Sequence, residues 1–413
     1  MKIVHFTWEY PPVIYGGLGT FATEITQKQK KFGNDITVFS LNENNEYKTK
    51  EEWNHINVYR PKILDLTQTF NLFASHELRA WGNNLKFFAD VVSYNTMSAA
   101  QLVNLLVKKE KKSFDLIDAH DWLGIIGGMV AKKELGIPLF FHVHSTEVGR
   151  SIGGGSDTIK NIEYDGGQVA DCVITVSYAM KDELINLGFP KEKIRVCWNG
   201  VDPNKYNSKN VSSEDKEKLR QKYKINNDEI MLFFIGRLVT VKGVDKLVSA
   251  MPEVIAEFPN SKLVILGIGD MEEDIQNMIK ALGIEKNVIL RSEFVSEKER
   301  ILHYAASDVV ILPSLYEPFG IVCTEAMSMG KPVVVGAVGT NGFREQIIPD
   351  GSDKCGIHVN PFNPSDIAWG IKEVLKTKDN GKSWGNKGRQ RVLDVFGWDA
   401  VTERTLEIYK EFI

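Results

Sequence analysis

Apolar residues along this chain fall into short unbroken runs of strand length, separated by longer stretches whose apolar positions recur at helical spacing. Runs at 3–8, 36–41, 116–119, 139–144, 172–177 and 194–198 alternate with helical patterns, the first of them near 18–32. Strands written as continuous apolar runs are covered on both faces, and strands separated by helices pair in parallel. The pattern therefore predicts a parallel sheet with helices on either side. The alternation restarts after Asn199-Gly200-Val201-Asp202-Pro203, a turn-forming segment followed by polar residues. A charged helical stretch from Ser212 leads to apolar runs at 230–236, 262–267, 288–290, 309–312 and 333–335, with helical patterns near 245–257 and 271–282. A second sheet of the same kind is expected, giving an α/β chain of two doubly wound domains at 1–199 and 200–397.

Two segments stand outside this alternation. From Trp398 to Ile413, apolar residues at Val401, Leu406, Ile408, Tyr409 and Phe412 mark a helix that must cover an apolar surface of one domain or the other, and it can cross back to the first. Residues 42–95 are rich in Asn, Lys and aromatics, among them Trp53, Phe70, Phe73, Trp81, Phe87 and Phe88. They read either as extra helices packed on the first sheet or as a platform for a ligand.

Length and charge narrow the classes. The 413 residues exceed the roughly 250 to 300 at which one hydrophobic core stops growing, so two domains are expected. A net charge of -4 offers no field for a nucleic-acid backbone, and the run Lys108-Lys109-Glu110-Lys111-Lys112 reads as a solvated helix end. Cys172, Cys197, Cys323 and Cys355 are too scattered for a disulfide framework or a zinc spacing, which fits a reducing compartment. The opening MKIVHFTW reads as a strand rather than a signal peptide, and no apolar run approaches the roughly 18 residues of a membrane span. A cytoplasmic protein is the expectation.

In open α/β sheets ligands gather beyond the carboxyl ends of the strands, so polar residues just after apolar runs are the ones to weigh. After 230–236 come Arg237 and Lys242 on one loop. A guanidinium with forked donors and a compact ammonium suit a diphosphate, although two basic residues on a loop are ordinarily solvated surface. The run 309–312 leads through Pro313–Pro318 into a helix beginning near Gly320, whose free N–H groups attract anions and hydroxyl-bearing ligands. There Glu317 sits on the turn and Glu325 about two turns inside; in the plainer readings Glu317 meets the helix end and Glu325 pairs with a lysine. Near the start, Gly16-Gly17-Leu18-Gly19 precedes another helix, and residues 17–22 formally match G-x-G-x-x-A, with Glu43 as a ribose acid. A dinucleotide fingerprint needs its first glycine directly after the strand, whereas Glu9 to Tyr15 intervene, so a lid that lets backbone approach a ligand fits better. Finally, Asp118-Ala119-His120-Asp121-Trp122 ends one strand and His142-Val143-His144 another; His/Asp/His on adjacent strand ends could hold a metal, but the chain has no Asp-x-Asp pair and the groups are too few and too scattered to predict one.

Taken in order, Gly-Gly-Leu-Gly after the first strand, His120-Asp121-Trp122, His144, Gly236-Arg237 with Lys242-Gly243, and Glu317-Pro-Phe-Gly with Glu325 resemble the retaining nucleotide-sugar glycosyltransferases of the GT-B fold. That group includes glycogen and starch synthases and sucrose synthase, and the likeness runs through both domains. The resemblance implies two Rossmann-like domains facing each other across a deep cleft, the first on the acceptor side and the second on the donor side. By it, Arg237 and Lys242 bind the donor diphosphate and stabilise the leaving group, and Glu325 holds the ribose hydroxyls. The N–H groups of Gly320 and Ile321 and the loop at Gly16-Gly17 complete the donor site, Glu317 contacts the hexose, and His144 with Asp121 lines the sugar and acceptor side.

The resemblance also implies a reaction without metal, cofactor or covalent intermediate, the departing phosphate taking the acceptor's proton on the same face while cations stabilise its charge. Domain closure would exclude water. Where bacterial glycogen and starch synthases carry Lys-x-Gly-Gly-Leu and Glu-Pro-Cys-Gly, this chain has Ile14 and Phe319, which places it with the broader sucrose-synthase-like group. His120-Asp121-Trp122 and the segment Ser145 to Arg150 lean toward the α-glucan synthases. The expectation is a retaining transfer of glucose from UDP- or ADP-glucose to an α-glucan, with a nucleotide sugar and a carbohydrate as partners and neither nucleic acid nor membrane. Alternatives are a hexosyltransferase acting on a small molecule or lipid, a sugar-nucleotide epimerase or hydrolase on the same fold, and a non-catalytic nucleotide-sugar-binding subunit. The lack of a basic amphipathic surface helix weighs against lipid.

Overall fold

Eight strands form the first sheet: β1 (Lys2–Phe6), β2 (Asp35–Phe39), β3 (Lys50–Trp53), β4 (Ile56–Tyr59), β5 (Leu116–His120), β6 (Leu139–Val143), β7 (Cys172–Thr175) and β8 (Ile194–Val196). Their order is β3-β4-β2-β1-β5-β6-β7-β8, parallel throughout except for the antiparallel pair β3–β4. The computed structural model describes residues 1–73, 76–82 and 84–413, and the chain divides into two units, Met1–Trp198 with Trp398–Ile413, and Asn199–Gly397. In the first unit, β5, β6 and β7 are buried along their whole length, the condition that continuous apolar runs imply. One face packs against Phe21 and Ile25 of the helix Gly17–Lys31 and against Trp398, Val401 and Tyr409 of the helix Trp398–Lys410. The other packs against Ile125 and Ala131 of the helix Asp121–Leu135. The last helix thus covers the first unit's sheet, with Ile408 and Tyr409 wholly buried, and each such side chain contributes about 1.5 to 3 kcal/mol by leaving water.

Residues 42–95 largely follow the packing reading. The hairpin β3–β4, not foreseen, turns at Asn54 and His55, both at positive φ, the geometry of a two-residue turn whose twist matches its strands. Phe70, Trp81 and Phe88 pack with Trp8, Tyr94 and Trp122, while Trp53 packs against the core beneath the first helix. Phe87 instead stays 44% exposed. The side chain of Phe73 lies outside the described residues.

The second unit holds β9 (Ile230–Ile235), β10 (Ser261–Leu266), β11 (Val288–Arg291), β12 (Val309–Leu312), β13 (Val333–Gly336) and β14 (Gly356–Val359). All pair in parallel, in the order β11-β10-β9-β12-β13-β14. The helices Val244–Glu257 and Pro364–Leu375 bury Leu247, Met251, Ile367 and Ile371 against one face. In both sheets the strand order reverses at one place, between β1 and β5 and between β9 and β12, and in open α/β sheets ligands bind at the carboxyl edge beside such a reversal. All four cysteines are free and buried, and among the described residues no helix is long and apolar enough to cross a membrane.

In the second unit the loops after β9 and β12 touch. Gly243 adopts φ +64, and a Cβ there would lie 2.2 Å from the carbonyl oxygen of Pro313. Gly243→Ala is expected to cost roughly 2 kcal/mol or more, from left-handed strain and this backbone clash together. The urea midpoint should fall at unchanged slope; a midpoint equal to wild type would show that the two loops are not held by this approach.

Candidate active site

In the second unit β9 runs out through Gly236 and Arg237 to a single tight turn at Thr240–Lys242, and Gly243 then opens the helix Val244–Glu257. The carbonyl of Val241 accepts hydrogen bonds from Leu315 N–H (2.8 Å) and Tyr316 N–H (3.4 Å), which joins this loop to the one after β12. Across that junction Lys242 Nζ donates to Glu317 Oε2 at 2.5 Å, and Ser314 Oγ donates to the same oxygen at 3.3 Å. Glu317 is held from a third side, its N–H donating to Thr340 O and its carbonyl accepting from Gly342 N–H. Arg237 is exposed and has no side-chain partner among the described residues. Gly320, at φ +89, precedes the helix Ile321–Ser328; a Cβ there would meet the Phe343 ring at 2.1 Å, so the turn that aims this helix start at Glu317 requires glycine.

Glu325 is not brought to this cluster. It is 2% exposed, its Oε2 accepting from Tyr304 Oη at 2.9 Å and its Oε1 lying 3.3 Å from Arg300 Nη2. The partner is an arginine rather than the lysine of the plainer reading. Burial and the Glu325 carboxylate hold Tyr304 well above its ordinary value, so its hydroxyl stays protonated and donates.

In the first unit the loop after β1 carries a residue that sequence reasoning passed over. Glu9 Oε2 accepts from the N–H groups of Tyr15 (2.8 Å), Gly16 (3.0 Å) and Gly19 (3.2 Å). The carboxylate thereby occupies the positive start of the helix Gly17–Lys31. Gly16 already has an anionic partner, while Gly17 is exposed. The signal available was an acid a few residues ahead of a glycine-rich helix start. Glu43, weighed as a ribose acid, accepts instead from Tyr15 Oη.

At the end of β5, Asp121 begins a helix at φ +52, a left-handed conformation in a residue other than glycine and the kind of strain that collects at functional positions. Its Oδ1 accepts from the N–H groups of His144 (2.7 Å) and Ser145 (3.4 Å), tying the end of β5 to the end of β6. Burial raises the Asp121 carboxyl to about 6, with Arg150 and those two N–H groups opposing it. Nearby Glu163 is raised to about 7 by burial, again against Arg150, which lies 3.1 Å away. Beneath Asp121, β1, β5 and β6 line up His5, Asp118, His120 and His142, with half-buried His144 just beyond β6. Of these, only His5 was not singled out.

Nitrogens of His120, His142 and His144 lie within 4.8 Å of one another. Yet the rings of His142 and His144 lie in planes 2° apart with centroids 4.6 Å apart. An ion bound in the plane of one ring lies outside the plane of the other, so as placed these two rings do not share one ion.

Residues 215–391 match the family model for glycosyl transferases group 1, and residues 15–205 that for Glycosyltransferase Family 4. The fold is similar to a sucrose-phosphate synthase from Thermosynechococcus elongatus, with TM-score 0.79 at 21% identity over 99% of this chain and 98% of that one. Over 423 residues the sequence is 34% identical to an uncharacterized glycosyltransferase of Methanocaldococcus jannaschii, covering 99% of this chain and 98% of the relative. The chain belongs to the GT-B glycosyltransferases. It is an enzyme, and its class is transferase. This glycosyltransferase is also 25% identical over 425 residues to a glycogen synthase of Mycobacterium tuberculosis H37Rv, covering 99% of this chain and 94% of the relative. A further similar fold, with TM-score 0.74 at 22% identity and full coverage of both chains, is Anabaena Alr3699/HepE, solved in complex with UDP-glucose.

Because the folded-state value of Asp121 is raised from 3.8 to about 6, its bound proton stabilises the fold at low pH, and that contribution is lost as pH rises through 6. Above that, the buried charge costs on the order of 2 to 3 kcal/mol. Asp121→Asn keeps an oxygen for the His144 N–H and tolerates left-handed φ. Its Tm gain over the parent glycosyltransferase should therefore be larger near about pH 7.5 than near about pH 4.5. An equal or reversed difference would contradict the raised value.

Proposed function

We propose that this glycosyltransferase moves glucose from UDP- or ADP-glucose to an α-glucan with retention of configuration, the second unit binding the donor and the first the acceptor. The observation that carries this reading is the contact between Lys242 and Glu317. It sets a cation suited to a diphosphate and a carboxylate suited to a hexose within reach of one small molecule, at the place where the strand order reverses. A largely desolvated lysine–glutamate pair adds little to stability, since what Coulomb attraction gains, desolvation largely offsets. The pair therefore makes better sense as a site than as a strut.

On this reading the donor's diphosphate takes over Lys242 and adds the forked donors of exposed Arg237, freeing Glu317 to accept from hexose hydroxyls. The cations then stabilise the leaving diphosphate as charge develops, and its oxygen removes the acceptor's proton on the face from which it departs. Gly320 and Ile321 offer helix-start N–H groups to the same donor. Glu325, oriented by Tyr304 and Arg300, would accept from the ribose hydroxyls. His144 and Asp121 would face the transferred sugar.

The acceptor class is supported by a cavity of about 530 Å³ in the first unit, lined by Trp8, Tyr15 and Phe87 together with Glu43, Asn44 and Asp90. Flat aromatic faces cover the apolar faces of sugar rings, and carboxylates and amides accept from hydroxyls. Glu43, Asp65 and Asp90 outnumber the one lysine of the lining, Lys86, which donates to Asp90; this balance disfavours a phosphorylated acceptor, and the mixed lining does not suit an acyl chain. The glycogen synthase relative and the UDP-glucose of the Anabaena structure point to the same substrates.

With glycogen or maltooligosaccharide as acceptor, Arg237→Ala at unchanged Tm, and Glu317→Ala in a variant that still folds, should each lower kcat by about 100-fold or more, as the loss of a transition-state contact does. His144→Ala should be similarly impaired, turnover should persist in excess chelator, and the new linkage should be α by NMR. Near-native rates in the Arg237 or Glu317 variant, or no glucosyl transfer from either nucleotide sugar, would overturn the reading.

A further inference from the structure

Beneath His144 runs an unbroken line of polar contacts through the core of the first unit. His144 Nε2 lies 3.2 Å from His120 Nδ1, and His120 Nε2 lies 3.2 Å from His5 Nδ1. His5 Nε2 lies 2.8 Å from Gln29 Oε1, Gln29 Nε2 lies 3.5 Å from Tyr409 Oη, and Tyr409 Oη donates to Asp118 Oδ2 at 2.5 Å. The ring planes of His5 and His120 differ by 15° and those of His120 and His144 by 22°, with centroids 5.5 Å apart in both pairs. Two imidazoles joined nitrogen to nitrogen at 3.2 Å require about that centroid separation. The rings therefore meet edge to edge, each nitrogen aimed at its neighbour rather than at a shared ion.

Each junction holds one proton, and the first junction settles the rest. Asp118, buried and surrounded by imidazoles, is an acceptor, so the Tyr409 hydroxyl donates to it and its own oxygen is left to accept. Gln29 must then turn its amide nitrogen toward Tyr409 and its oxygen toward His5. His5 carries its proton on Nε2 and offers a bare Nδ1 to His120, which carries its proton on Nε2 and offers a bare Nδ1 to His144. Burial lowers the values of His5, His120 and His144, so all three rings are neutral and the one-proton count holds at pH 7.

We propose that Tyr409 and Gln29 are positioning residues which, through His5 and His120, hold His144 in its Nε2–H tautomer and leave its Nδ1 bare to accept a hydrogen bond. Nδ1 has no hydrogen-bond partner among the described residues. The ligand group it fits is a hydroxyl donor, as a sugar offers. That last step rests on the proposed role of His144; the tautomer does not. The C-terminal helix thus supplies, besides apolar cover, the residue from which the tautomer is set.

The test is a long-range 1H–15N spectrum of the full chain labelled at histidine ring nitrogens, with His144 assigned by the signals lost in His144→Gln. The expected wild-type pattern is a protonated Nε2 and a bare Nδ1. Tyr409→Phe frees the Gln29 amide to turn, and His144 should move to the Nδ1–H form or to a mixture. Gln29→Met should do the same and serves if the first variant does not fold. In either variant kcat should fall by about tenfold or more with donor KM little changed, as misplacing a proton on a catalytic imidazole does. A wild-type His144 protonated at Nδ1, or a tautomer unmoved in both variants, would overturn the proposal. A fully active His144→Gln with the expected spectrum would instead overturn the role given to His144 and leave the tautomer standing.

Discussion

A lysine and a glutamate 75 positions apart meet only because β9 and β12 are hydrogen-bonded neighbours whose following loops leave the sheet side by side. Much of the second unit answers to that meeting. Gly243 lets the two loops close to van der Waals distance, the Val241 carbonyl locks them, and Gly320 turns the chain so that a helix starts beside the carboxylate. The ion pair itself is a poor source of stability at this depth. On the proposed reading its sense is preorganisation: two opposite charges already desolvated and oriented, each to exchange its partner for the matching part of a nucleotide sugar without the surroundings reorganising.

The first unit shows the same economy with neutral and ionised groups. Its sheet buries one carboxylate, Asp118, and three imidazoles where an apolar core would be simpler. Some of their atoms, including Asp118 Oδ1 and both ring nitrogens of His142, have no hydrogen-bond partner among the described residues. Buried polar groups left unpaired are costly, so an interior that keeps them is organised for something other than stability. The strained backbone of Asp121 and the raised carboxyls of Asp121 and Glu163 mark the same edge of the sheet. Strain and perturbed ionisation gathered at the ends of β5 and β6 are what a site requires and a scaffold avoids.

What could be read from the sequence followed the range of the interactions involved. Continuous apolar runs specify parallel strands, and polar residues placed just after them lie at the carboxyl edge, so the position of Arg237, Lys242 and Glu317 on loops at that edge was legible from local pattern, while their proposed roles came from the resemblance. The hairpin β3–β4 was not, because Lys50-Glu51-Glu52-Trp53 is a polar edge strand and Asn54-His55 lacks the glycine that usually announces such a turn. The direction of Glu325 was hidden because its helix, Ile-Val-Cys-Thr-Glu-Ala-Met-Ser, shows no polar face from which to choose inside from outside. His5, Gln29, Asp118 and Tyr409 are brought together over separations of 24 to 380 residues. No window of sequence contains that proximity; only the sheet order and the return of the last helix create it.

The central claim is that Lys242 and Glu317 are the two ends of a nucleotide-sugar site, and a crystal structure of the enzyme with its donor tests it most directly. The account predicts diphosphate oxygens on Lys242 and Arg237, with hexose hydroxyls on Glu317 in place of the lysine. A donor bound elsewhere while Lys242 still holds Glu317, with no sugar or phosphate touching either, would contradict it.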